Sequence, residues 1–512
     1  MRTILLRLDA STEFGARRSV AALLLILLAV SVVSTLHAVT KPLWFDEICT
    51  VIMCRLPNAS VIWEALENGA DSNPPAYYLL ARLARRFVSD DHLGYRLPSI
   101  LGLLLTVFCI YATLSRRVRH LSALVGAVFL LCTPLAKFAY EARPYAPVVG
   151  CISAAILAWQ RINDSRLYSI AVAVALALAA SFHYYAILVW PAFVLAEASV
   201  WIVHRHFRLS AWTALLAGAL PALFFSPLLL KLHQYYAQNF WARPSITQVV
   251  LDYNWFFNCG HWGWTIAAGV TVMLVYSRIT KAEANNGPGQ RQVQANVLPI
   301  EELTLALTLL WLPVIGVTAA IVAHGGMSTR YIMSTILGGA LALGYAIDRV
   351  RSAGRALLLV LLLVNYVSFS VGSLTLETRA YATREANAIA AQQRAFDLPV
   401  VISDGIRYLQ VAYYAPADVS RKLFVIADPR AAVASTTYKS DSVDLQLLVL
   451  RRYSSLQVEE YPGFVSSHPE FLLVLGGGEF DWWPARLAHE GYALRIVSAA
   501  GGAKIYKVTV RP

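Results

Sequence analysis

The stretch VAALLLILLAVSVVSTL (residues 20–36) contains no charged residue. It is close to the roughly 20 apolar residues that a helix needs to cross a bilayer. Similar runs recur along the first three quarters of the chain, for example ALLLVLLLVNYVSFSVGSL (356–374). Of the 512 residues, 57% are hydrophobic and only 14% charged, against about 25% charged in an average soluble protein. The chain reads as a polytopic membrane protein, mainly α-helical. Arg17 and Arg18 precede the first run as they would in a signal peptide. The run is too long for that, no A-x-A-like cleavage site closes it, and many further spans follow.

About eleven spans are expected, near 19–38, 96–114, 121–138, 144–160, 167–182, 186–203, 211–230, 262–279, 300–322, 331–347 and 355–373. With a cytoplasmic N-terminus, the inner connections carry 17 Arg and Lys. The short outer ones carry only Arg143, Lys231, Arg243 and Arg330. That asymmetry places the N-terminus inside and the C-terminus outside. It also supplies a plain source for the net charge of +12, with no need of a nucleic-acid partner.

Two domains are expected. Residues 1–374 form the transmembrane domain, with residues 39–95 as a large first outer loop; residues 375–512 form an extracytoplasmic α/β domain. In the loop, NPPAYYLLARLARRFV begins at Asn73, a suitable helix cap, and Pro74 and Pro75 suit a first turn. Tyr78, Leu79, Leu83 and Phe87 then share one side, with Arg82, Arg85 and Arg86 on another, as in a helix lying on the membrane surface. After residue 375 the apolar runs PVVISD (399–404), KLFVIAD (422–428) and FLLVLG (471–476) read as strands, with helical patterns at 405–415 and 443–453 between them. YALRIVSAA and AKIYKVTV around Gly501–Gly502 read as a hairpin. The GGG at 476–478 is no dinucleotide fingerprint. Of the six cysteines, Cys49, Cys54 and Cys259 fall on the outer side, where a bridge is possible but no spacing argues for one.

The first span ends at WFDE (44–47). Asp46 and Glu47 are either a helix end meeting water behind an aromatic anchor, or a carboxylate pair serving proton abstraction or a metal. The other outer connections are FAYEARPYA (138–146), SFHYYA (181–186), HQYYAQNFWARP (233–244) and HGGMSTRY (324–331). The aromatic belt accounts for their Tyr and Trp, but not for Glu141, Arg143, His183, His233, Arg243, His324 and Arg330 gathered on one side.

Six pieces in order carry a family resemblance: WFDE, NPPAYYLLARL (73–83), GYRLPSILG (94–102), EARPYA (141–146), FHYYA (182–186) and STRYIMSTILGGAL (328–341). Across residues 15–350 the chain resembles the polyprenol-phosphate-sugar-dependent glycosyltransferases of the C-type membrane fold, in the protein O-mannosyltransferase and aminoarabinosyltransferase-like group. The resemblance implies a multi-pass enzyme of a bacterial-type inner membrane. It implies sugar transfer, with inversion, from a polyprenyl-phosphate donor to an acceptor hydroxyl on a lipid, glycan or protein.

In that reading Asp46 is the general base or acceptor-orienting acid, and Glu47 the adjacent acid. Arg143, Arg96, Arg330 and His183 are donor-phosphate candidates, with headgroup snorkelling the other reading of Arg96 and simple hydrogen bonding that of His183. Glu141, Tyr145, Asn73, Tyr184 and Tyr331 are substrate-pocket candidates. A divalent metal, with Glu47 or Glu141 as ligands, is left open. Where some relatives have Glu-Lys or His before the Pro-Pro, this chain has Ser72-Asn73, so that position cannot supply the same ligand. Two other readings stand beside this one: a lipid-linked glycan polymerase or ligase, and a lipid or sugar transporter. Glu197 is the one acidic residue well inside a span, fewer than a transporter's midplane site would use.

Overall fold

In the computed structural model, residues 15–236, 238–258, 263–285, 298–376, 378–476, 478–500 and 503–509 are described. The chain forms two compact units that interleave along the sequence. One contains Arg96–Ser226 and Pro244–Ser373 with the first segment up to Leu36; the other contains His37–Tyr95, Pro227–Arg243 and Leu374–Pro512.

Each expected span has a helical counterpart. Ala16–Thr40, Asp91–Ser115, Tyr184–His204 and the segment opening at Ser352 are long and apolar enough to cross a bilayer. His120–Cys132, Tyr145–Trp159, Arg166–Phe182, Thr265–Ile279 and Thr335–Ile347 are apolar but shorter. Two expected spans are broken: Leu209–Phe224 bends by 47° into Ser226–Tyr236, and Ile300–Leu310 by 59° into Leu312–Val322. Both breaks sit just before a proline, Pro227 and Pro313, which lacks an N–H and whose ring clashes with the carbonyl four residues back. The run expected at 121–138 likewise ends its helix at Phe129 and resumes at Leu135, after Pro134.

Glycines set the closest approaches in the first unit. A Cβ on Gly102 would meet the backbone of Ala146 and Pro147 at 2.5 Å. The helices Asp91–Ser115 and Tyr145–Trp159 therefore touch main chain to main chain at that level. Glu197 lies inside a span but is fully compensated. The Arg208 guanidinium donates to both its oxygens at 2.6 and 2.9 Å, and Trp159 Nε1–H donates at 2.5 Å.

In the second unit the C-terminal part is a six-stranded sheet. β1 (Val400–Ile402), β2 (Leu423–Ala427), β3 (Gln457–Glu460), β4 (Glu470–Val474), β5 (Ala493–Ala500) and β6 (Ala503–Thr509) are ordered β3-β2-β1-β4-β6-β5. The first four strands run parallel; the β5–β6 hairpin joins the β4 edge antiparallel. Gly501 and Gly502 lie outside the described residues. β1 is buried at all three positions, as expected of a parallel strand covered on both faces. One core layer gathers Val401, Ile426, Phe464, Leu473, Trp482 and Trp483. β3, QVEE, escapes the sequence reading because only Val458 of its four residues is buried. The glycines at 476 and 478 make room for Asp404, whose side chain a Cβ at either position would strike. Asp404 caps the helix Gly405–Tyr414 by accepting the Ile406 N–H at 2.8 Å.

The outer-loop segment packs on this sheet domain within the same unit. Gln410 donates to the Leu43 carbonyl at 2.9 Å, Tyr414 Oη accepts the Leu43 N–H at 2.8 Å, and Gln446 donates to the Ala70 carbonyl at 3.0 Å. The helix Pro75–Phe87 corrects two expectations. Its N-cap is Pro74, with no side-chain cap bond, so Asn73 is not the cap. Its arginines do not form a water-facing side. Arg82 Nε donates to the Cys54 carbonyl at 2.8 Å, and Arg85 pairs with Asp91. Its exposed apolar side chains are Leu79, Leu83 and Phe87, and Arg86 is exposed as well. Cys49 and Cys54 are unbridged, while Cys259 lies outside the described residues.

Candidate active site

Several of the outer-connection residues converge in the first unit. Ser99, on the helix Asp91–Ser115, donates its hydroxyl toward the carbonyls of Glu141 (2.6 Å) and Arg143 (3.0 Å). That double contact pins the EARP turn, and the close approach at Gly102 sets its height. Tyr145 follows the turn and places its ring 5.5 Å from that of His183. Tyr331 stands 5.2 Å from His183 on another side. Arg330 lies 5.8 Å over the Tyr145 ring, a distance at which a cation is held by the ring's negative face. Tyr185, which the sequence reading passed over in favour of Tyr184, stacks on Tyr331 at 4.6 Å. Its hydroxyl reaches the Gly326 carbonyl and so ties the Arg330 turn to the His183 turn.

His183 is the electrostatic centre of this cluster. Burial, then the guanidiniums of Arg143 and Arg330, push its pKa down to about 3. Its Nδ1 accepts the Tyr185 N–H at 3.2 Å, which leaves the proton of the neutral ring on Nε2. At neutral pH His183 is therefore a neutral donor through Nε2–H. The positive charge belongs to Arg143, which is 3% exposed, and to Arg330. Arg96 is buried as well, at 1% exposure, which excludes a headgroup-snorkelling role. Glu141 is buried and forms an ion pair with Lys137 at 3.7 Å.

The sequence reading missed Asp252 completely. It sits in the helix Gln248–Phe257 at 0% exposure and accepts from the Thr329 hydroxyl at 2.6 Å and Gln248 Nε2 at 2.8 Å. Its Oδ2 has no hydrogen-bond partner among the described residues. Burial raises its pKa against those two donors. Through Thr329 this carboxyl holds the turn that presents Arg330. The one signal in the sequence was a lone acid in an otherwise apolar and aromatic run, VVLDYNWFF.

The first-loop acids lie in the second unit and separate into different roles. Glu47 is fully buried and turns its carboxylate back to the Trp44 N–H at 3.3 Å, the backbone reciprocation of a helix start. Asp46 is half-buried and keeps access to solvent. Asp71 is 5% exposed and accepts the Ser72 N–H at 2.7 Å. Asn73 is 1% exposed, and neither end of its amide is hydrogen-bonded among the described residues. A buried amide in that state costs on the order of 1–3 kcal/mol, which marks it as a group awaiting a partner.

Among the described residues no three His, Cys, Asp or Glu side chains come together to hold a metal ion. The two metal-ligand candidates have protein partners, Trp44 for Glu47 and Lys137 for Glu141. Among the described residues this donor set does not fit a metal.

Residues 72–230 match the family model described as dolichyl-phosphate-mannose-protein mannosyltransferase. The chain also superposes on ArnT from Cupriavidus metallidurans bound to undecaprenyl phosphate, with a TM-score of 0.59 and 14% identity over 96% of this chain and 98% of that one. The apo form of the same protein gives 0.58 and 15% identity, over 95% and 98%. The chain shares the fold of that protein, the C-type membrane glycosyltransferase fold. A third structure, the Pmt1-Pmt2 protein O-mannosyltransferase complex of S. cerevisiae bound to the sugar donor, aligns with a TM-score of 0.31 and 15% identity, over 49% of this chain and 38% of that one. No curated protein matches this chain by sequence at a significant level. The family match covers the helix Pro75–Phe87, the EARP turn and His183, so three of the four phosphate candidates, Arg96, Arg143 and His183, fall inside it.

Proposed function

We propose that the protein transfers a sugar from a polyprenyl-phosphate donor to an acceptor hydroxyl at the extracytoplasmic face of the membrane. The observation that carries this reading is the pairing of Arg143 and Arg330 around a neutral His183. Two guanidiniums and an Nε2–H donor suit the phosphate of a lipid-linked sugar. The ArnT match, whose structure holds undecaprenyl phosphate, supports the same donor class. The excess of Arg and Lys on the other set of connections supports the orientation.

In this mechanism Asp46 takes the proton of the acceptor hydroxyl as its oxygen attacks the anomeric carbon. The bond from that carbon to the phosphate oxygen breaks with inversion, and the arginines stabilise the phosphate as it leaves. Glu47 keeps the start of the Phe45–Arg55 helix in place beside Asp46. The domain comprising residues 375–512 serves acceptor docking. The compensated Glu197–Arg208 pair speaks against the transporter reading, which needs an ionisable group free to change partners within a span.

The test is sugar release from undecaprenyl-phosphate donors by the reconstituted protein and by Asp46→Asn. Loss of a general base lowers kcat by about 10²–10⁴-fold. A full rate in the variant removes Asp46 from the mechanism. Measurable lipid or sugar flux with no turnover by the wild type returns the transporter.

A further inference from the structure

The helices that position the His183 cluster have a second charged end. Asp91–Ser115 starts beside Arg96 and ends at Arg116 and Arg117; Thr335–Ile347 starts beyond Arg330 and ends at Asp348 and Arg349. From Arg96 to Ser115 the helix rises about 28 Å, nearly the thickness of a bilayer core. At this far end lies a cavity of about 160 Å³ lined by Arg116, Arg117, Arg278 and Arg349, together with Tyr345 and Asp348.

The charges around it are not balanced locally. Arg117 is taken by Glu302, which accepts from it at 2.6 to 3.0 Å. Asp348 accepts from the Arg119 N–H at 3.0 Å and the Ser122 hydroxyl at 2.7 Å, and faces Arg355 at 3.6 Å. The other three arginines have no ion pair among the described residues. Arg278 donates to the Leu298 carbonyl at 3.2 Å, Arg349 to the Ser277 hydroxyl, and Arg116 is exposed.

We propose that this cavity binds the phosphate headgroup of an anionic phospholipid from the membrane leaflet opposite the candidate active site. The occupant is a lipid and not a free anion because an apolar surface leads into the cavity. The helix Gly263–Asn285, which brings Ser277 and Arg278 to it, exposes Val272, Val275 and Tyr276 just before them and Ile279 just after. Those side chains lie along the path an acyl chain takes once its phosphate is held by Arg278 and Arg349. A basic pocket between helix ends with apolar flanks is the arrangement that recognises such headgroups. The site serves as an anchor that fixes the inner ends of the helices whose outer ends carry Arg96 and Arg330.

Native mass spectrometry of the full-length protein tests the proposal. The protein is delipidated and then titrated separately with phosphatidylglycerol, phosphatidylcholine and inorganic phosphate. Retention of phosphatidylglycerol over phosphatidylcholine is expected, weakened about fivefold by each of Arg278→Gln and Arg349→Gln, since one surface arginine contributes about a factor of five to anionic-lipid attraction. Arg116→Gln gives the same direction of change, and its exposed side chain leaves folding intact should the other two variants misfold. Equal retention of the two lipids overturns the proposal. So does displacement of phosphatidylglycerol by millimolar inorganic phosphate, which makes the site one for a free anion. Retention unchanged by Arg116→Gln and by either of the other two variants also overturns it.

Discussion

Two buried charged groups of the first unit invite comparison. At Glu197 and Arg208 one acid meets one base through two hydrogen bonds, with Trp159 completing the shell. At His183 the acting charges are two guanidiniums of the same sign, and the imidazole responds by staying neutral. The first arrangement is closed and asks for nothing more. The second sets two like charges beside one neutral ring, an arrangement that suits an anionic ligand. Buried charge alone therefore does not mark function; like charges gathered at one neutral donor are the stronger sign.

The largest effect that distinguishes the two lies in stability. Arg208→Ala leaves Glu197 as an uncompensated buried acid, and the loss is about 3–5 kcal/mol. A melting temperature unchanged from wild type would erase the contrast from the structural side. Arg330→Gln presses on the other side. It removes a half-buried charge held over the Tyr145 ring but keeps a polar side chain there, so the melting temperature holds while donor turnover falls about 10²-fold, in line with one lost transition-state donor. Unfolding of Arg330→Gln with undiminished specific activity in the folded fraction would make that arginine structural too.

The pH dependence sharpens the comparison further. The folded-state pKa of His183 is depressed to about 3, below the 6.5 of an unfolded histidine. The unfolded chain thus takes up a proton below about pH 6.5 that the folded chain refuses. Stability falls as pH drops from about 6.5 toward 3, by at most about 1.4 kcal/mol per pH unit. In His183→Asn that slope disappears. A variant with the wild-type slope would show that other groups govern the acid limb.

The legible part of this molecule is the part built from short connections. Arg143, Tyr145, His183, Arg330 and Tyr331 lie in turns between spans, where the hydropathy pattern itself points to them. The helical segments were legible for the same reason, save where Pro134, Pro227 and Pro313 broke them. What escaped depends on side-chain direction. Tyr184 and Tyr185 are adjacent in a single turn, and only the fold tells which one reaches Tyr331. Asn73 stands where a cap belongs, but the backbone starts its helix two residues later, at Pro75. The arginines of the Pro75–Phe87 helix look like a solvated face until Cys54 and Asp91 are seen to accept from two of them. Asp252 lies within an apolar run, and no local pattern tells a buried carboxyl from an exposed one.

Asp252 gives the smallest and most discriminating test, because it sits between the two kinds of buried charge. It has two neutral donors and no cation, and burial raises its pKa. The folded state therefore favours the protonated acid, and stability is lost as pH rises above the unfolded value of about 3.9. Asp252→Asn preserves the oxygen that accepts from Thr329 and Gln248 while removing the titration. It is expected to match or exceed wild-type stability at pH 7 by up to about 1 kcal/mol, with donor KM unchanged. Asp252→Ala removes the acceptor as well, frees the Thr329 turn and raises donor KM by moving Arg330. Equal KM in the two variants would detach Asp252 from Arg330. A collapse of kcat in Asp252→Asn alone would instead make its charge part of the chemistry, and the line between closed and open charge would have to be redrawn to include it.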